Sequence, residues 1–120
     1  MSAWLWLAAV LAVGIGLAHS YLGERFILVR LLRRDNLPHL FGSDVFTKRT
    51  LRFAWHLTSI AWIGSGVLVW VLGHGDARGG LRVIGVMFLL SALLTLVSSR
   101  GRHLAWIVFG WIGIAALLGA

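Results

Sequence analysis

Three histidines and one glutamate, His19, Glu24, His56 and His103, carry most of the chemistry open to this 120-residue chain. Arginine accompanies them: Arg25 follows Glu24, Arg52 stands one helical turn before His56, and Arg102 directly precedes His103. Three imidazoles and a carboxylate form a suitable ligand set for Zn²⁺, Cu²⁺, Fe or Ni, with His19, His56, His103 and Glu24 as the metal-binding residues. Two of the imidazoles, foremost those of His19 and His56, would equally serve as axial ligands of a b-type haem. Arg52 and Arg102 would then neutralise the cofactor's negative charge, and Trp55 and Trp62 would pack on the macrocycle.

The same side chains also suit a different task. Guanidinium groups pair bidentately with phosphate, so Arg25, Arg49, Arg52, Arg100 and Arg102 could hold an anionic headgroup. A histidine among them would act as acid or base, with Glu24 fixing its tautomer. A third reading has no chemistry: an accessory subunit whose basic face docks a partner or the anionic leaflet. Taken singly, the residues have ordinary structural roles. His19 and His56 read as hydrogen-bonded packing residues, His103 as an interfacial one, and Arg30, Arg33, Arg34 and Lys48 as lipid anchors and topology determinants.

Helical spacing groups these residues. Arg49, Arg52, His56 and Ser59 fall at i, i+3, i+7 and i+10, one stripe of a helix. Trp55 and Trp62 form a neighbouring stripe, and His19 shares a face with Gly16 and Gly23. A polar group at such depth is costly without a partner, so Glu24 is expected to be paired.

The elements that must position them follow from composition. The chain is 59% hydrophobic and 12% charged, too apolar for a soluble domain or a nucleic-acid module despite a net charge of +7. It has no cysteine, which removes disulfides, thiolate metal sites and Fe–S clusters. Four apolar runs, about 3–22, 53–72, 81–97 and 103–120, approach the length of a bilayer core of roughly 30 Å. The expected fold is all-α: one domain over 1–120, a four-helix transmembrane bundle, with a retained first helix in place of a cleaved signal peptide. In the connection 23–52, Phe26–Arg34 alternates apolar and basic residues as an interfacial amphipathic helix would. Asn36–Pro38 breaks it, and Ser43 with Asp44 predicts a helix start near Asp44. Nine of the eleven Lys and Arg residues fall on one side of these spans. That bias predicts a cytoplasmic 23–52 loop with both termini outside, in a bacterial inner membrane. Anionic lipid headgroups, a second copy of the chain or a membrane partner protein are the expected partners, with no role for nucleic acid.

The segments His19-Ser-Tyr-Leu-Gly-Glu-Arg25 and Arg49-Thr-Leu-Arg-Phe-Ala-Trp-His56, with Arg102-His103, resemble small four-helix bacterial membrane proteins of uncharacterised function. There is also a similarity to haem-binding membrane proteins of the protoporphyrinogen oxidase type and to copper-resistance membrane domains. In those, a histidine is followed seven residues on by Trp and a small residue; here His56 is followed by Trp62-Ile-Gly64, one residue short. The resemblance implies haem or metal binding with a redox or ion-handling role. The alternative remains an anionic-amphiphile enzyme or transporter built on the same arginines.

Overall fold

The structure, a computed structural model, describes residues 1–120 and contains helices but no strands. Helix α1 covers Ala3–Leu31, α2 Val45–Gly73, α3 Ala77–Ser99 and α4 Ala105–Leu118. The first three are long and apolar enough to cross a membrane. With 14 residues, α4 rises only about 21 Å and falls short of the ~30 Å hydrocarbon core. The fourth span expected over 103–120 is therefore a shorter apolar helix. The surface has the same character. Only 13 of 120 residues are buried, and Trp4, Leu17, Val97 and Trp111 stand largely exposed. A surface this apolar would self-associate in water and is suited to lipid. These are the properties of a membrane protein.

Local chemistry sets the helix ends. Ser2 Oγ accepts from Leu5 N–H at 3.3 Å and caps α1. As expected, α2 begins beside Asp44, where Val45 N–H donates to Ser43 Oγ at 3.4 Å and Lys48 pairs with Asp44 at 2.8 Å. Between α2 and α3 the chain turns through Gly75 at φ +80°, a left-handed conformation natural to glycine. The Asp76 carboxylate then accepts from Gly79 N–H at 2.7 Å. Helix α3 closes through Arg100 (φ 51°) and Gly101 (φ 78°), both left-handed.

The Phe26–Arg34 stretch does not form the separate interfacial helix expected of it. Nothing between Leu22 and Leu31 breaks a helix, so α1 runs on through a π-helical turn, Gly23–Leu28, in which Val29 N–H reaches back to Glu24 O. At 29 residues α1 rises about 43 Å, comparable to a bilayer with its headgroups. Its basic end therefore continues the first helix and is not a separate element. Helix α2 contains the apolar run expected over 53–72 together with the turns from Asp44 that precede it, and α3 extends beyond 81–97 at both ends.

The helices pack in chain order, α1 on α2, α2 on α3 and α3 on α4, without contact between α1 and α4. The arrangement is an open row measuring 51 × 32 × 15 Å. Small residues bring the backbones together. At Gly66 an added Cβ would meet Ala9 O at 2.7 Å, and at Gly113 it would meet Gly85 O at 2.9 Å.

Candidate functional site

On α1, Ser20 and Glu24 are one turn apart on a common face; on α2, Arg52, His56 and Ser59 form a single stripe. The two faces interlock. Ser20 Oγ lies 2.8 Å from His56 Nδ1 and 2.6 Å from Ser59 Oγ. His56 Nε2 lies 3.1 Å from Glu24 Oε2, and Arg52 donates to Glu24 Oε1 at 2.9 Å. The continuous chain runs Ser59, Ser20, His56, Glu24, Arg52 and changes helix at every step. Glu24 is thus paired, as its position required, and Ser59 is almost wholly buried.

Two proton arrangements satisfy this chain. With neutral His56 protonated at Nε2, the ring donates to Glu24, Ser20 donates to Nδ1, and Ser59 donates to Ser20. With His56 as imidazolium, both ring nitrogens donate and the Ser20 hydroxyl turns to Ser59. The two states differ by one proton and a reversal of the hydroxyls.

The other expected ligands lie elsewhere. His19 stacks flat on Trp55, with ring centroids 4.4 Å apart, and meets Trp62 at 4.8 Å. Its carbonyl accepts the Trp55 indole N–H at 2.9 Å. Gly23 makes room for that indole, since any Cβ at this position would collide with it. His103 packs among phenylalanines, 6.0 Å from the Phe46 ring and 5.2 Å from Phe53, and its Nδ1 accepts from Ala105 N–H at 3.4 Å. Arg102 lies over the Phe41 ring at 5.7 Å, apart from Arg52 and its partners.

The expected convergence of His19, His56, His103 and Glu24 is therefore not realised. No group of three or more His, Cys, Asp or Glu side chains is placed to hold a metal ion. As they stand, the donors are committed to other partners. Both His56 ring nitrogens are engaged by Ser20 and Glu24, and the two tryptophans meant for a macrocycle pack on His19.

Beside the chain lies a cavity of about 480 Å³, lined by Val29, Leu32 and Arg33 from the end of the first helical segment, Lys48, Arg49 and Arg52 from α2, and Ser98 from α3. Arg52 belongs to both features. Lys48 is tied to Asp44 and Arg52 to Glu24, whereas Arg33 and Arg49 have no carboxylate partner. The Lys48 ammonium, by its hydrogen bond, holds the Asp44 carboxyl below the ordinary carboxylate range. Sequence reasoning gave Arg33 and Lys48 only anchoring roles. The signal that could have promoted Lys48 is its i, i+4 spacing to Arg52, which puts both on the same face of α2.

No protein-family model matches the chain, and neither a curated protein nor a solved structure does. The functional reading therefore rests on the site itself.

Proposed function

We propose that the chain binds the headgroup of an anionic amphiphile in the cavity lined by Arg33, Lys48, Arg49 and Arg52, with His56 as the proton-handling group of the site. The observation that carries this reading is the double position of Arg52. Arg52 lines the cavity, and its guanidinium holds Glu24, whose other oxygen holds His56. An anion reaching Arg52 thus competes directly with Glu24, and the hydrogen-bond chain responds without any intervening element.

The chemistry of the lining supports an anion. Guanidinium forks match phosphate oxygens, and a lysine adds a point charge. The excess of basic residues at this end of the helices favours a cytoplasmic cavity with both termini outside, in a bacterial inner membrane. Anionic lipids of that leaflet are the natural source of headgroups. The haem or metal reading draws no support from the arrangement of the donors.

The test is native mass spectrometry of the detergent-purified protein offered phosphatidylglycerol or phosphatidylcholine. Adducts are expected with the anionic lipid and are expected to fall several-fold in Arg33→Gln and Arg49→Gln. These two arginines hold no carboxylate of the protein, so their loss reports on binding rather than on folding. Equal retention of both lipids, or a Soret band or stoichiometric metal in the same sample, overturns the reading.

A further inference from the structure

We infer that the group recognised is a lipid-borne phosphate monoester, a dianion, in preference to a phosphodiester; this rests on the anionic-amphiphile reading above. The inference comes from the charge balance of the cavity. Four cations line it, and two of them are already neutralised by carboxylates of the chain, Lys48 by Asp44 at 2.8 Å and Arg52 by Glu24 at 2.9 Å. Arg33 and Arg49 remain without a carboxylate, leaving two uncompensated positive charges on the cavity wall. A phosphodiester brings one negative charge and leaves the other cation unmatched. A monoester carries about −1.5 to −2 at neutral pH and matches both.

Donor number points the same way. A monoester presents three terminal oxygens, and a diester only two. Arg33 and Arg49 are the free forks, with Arg52 able to share its guanidinium between Glu24 and a ligand. Ser98, on α3, lines the same cavity and has a hydroxyl able to donate.

The lipid-borne part of the inference comes from the wall that is not charged. Val29 and Leu32 form an apolar patch in the same cavity, beside the last turns of a membrane-length helix. The apolar stem of an amphiphile gains from contact there, whereas free inorganic phosphate has nothing to place against it.

The experiment uses the full chain in neutral detergent and compares four probes: phosphatidic acid, phosphatidylglycerol, phosphatidylcholine and inorganic phosphate. Phosphatidic acid is expected to bind about tenfold more tightly than phosphatidylglycerol. Arg33→Gln or Arg49→Gln should bring the two lipids close to parity, and Arg49→Lys, which keeps the charge without the fork, should fall between. Inorganic phosphate should displace phosphatidic acid only weakly. Equal binding of the two anionic lipids, both above phosphatidylcholine, overturns the monoester preference and leaves the broader reading standing. Binding of neither above phosphatidylcholine overturns both. Displacement by inorganic phosphate as strong as by phosphatidic acid overturns the lipid-borne part. Thermal unfolding of each variant separates lost binding from lost folding, because neither substituted arginine holds a carboxylate.

Discussion

Between α1 and α2, side chains cross the seam repeatedly: Ser20 to His56 and Ser59, Glu24 to His56 and Arg52, and Trp55 to the His19 carbonyl. Between α3 and α4 no hydrogen bond or ion pair crosses, and the side chains that meet, such as Phe88 and Phe109, are apolar. The hydroxyls of Ser91 and Ser99 turn back on the Met87 and Thr95 carbonyls of their own helix. What joins α3 to α4 is backbone approach at Gly85 and Gly113, with Leu89 and Leu117 filling around them. Close packing is available to α1 and α2 as well, through Gly16 and Gly66. A helix pair in this chain can therefore associate without polar contacts. The ionisable groups of the first seam, costly to keep in a membrane helix, call for a function beyond adhesion.

Steric substitutions break the comparison most forcefully. Gly113→Leu forces a side chain into Leu89 and the Gly85 carbonyl and should destabilise by about 1–3 kcal/mol while sparing anionic-lipid binding. Gly23→Leu should cost a similar amount by expelling the Trp55 indole, and it should also weaken lipid binding by disturbing the turn that carries Glu24. Thermal unfolding in detergent, paired with lipid titration, distinguishes them. Equal effects of the two variants on binding would remove the distinction between the seams.

Removing hydrogen bonds sharpens it. Ser20→Ala should cost about 0.6 kcal/mol, the average for an interhelical hydrogen bond in a membrane, and up to roughly 1.7. Ser91→Ala, whose hydroxyl bonds only within its own helix, should stay within about 0.5 kcal/mol. Glu24→Gln has a signature of opposite sign in two measurements. Stability should fall as Arg52 and His56 lose their shared carboxylate, while anionic-lipid affinity should rise several-fold because the cavity loses a competing negative charge.

The smallest effect belongs to Asp44 and Lys48. The Asp44 carboxyl is held below its ordinary value of 3.8, first by the Lys48 hydrogen bond, so its contribution is present above that value and fades as pH falls through the lower folded one. Asp44→Asn should flatten this acid-side dependence, with a small loss at neutral pH that shrinks in salt. Unfolding scans at pH 3 to 6 read it, about the carboxylate range.

The stripe Arg52, His56, Ser59 and the pairing of Glu24 were legible in the sequence because both follow from local rules, helical periodicity and the cost of an unpaired charge in lipid. The start of α2 near Asp44 was legible for the same kind of reason. The positions of His19 and His103 were not. Depth along a helix can be counted from sequence, but the direction in which two helices face each other cannot. His19 follows the space that Gly23 leaves for Trp55, and His103 follows a turn through Arg100 and Gly101 that carries it to Phe46 and Phe53. Phe26–Arg34 was less legible because alternating basic and apolar residues look alike on a separate interfacial helix and on the end of a long continuous one. Pro38 lies too far on to separate them.

The row of helices, 15 Å through its thin dimension, has a bearing on transport. A layer of this thickness has two flanks and no lumen, so one copy encloses no aqueous conduit from one side of the bilayer to the other. Were a group to cross beside it, the path would run along a flank, with lipid as the opposite wall, or along a groove closed by another copy. For an amphiphile the first route would leave the tail in the hydrocarbon throughout, so that the cost falls on the headgroup alone.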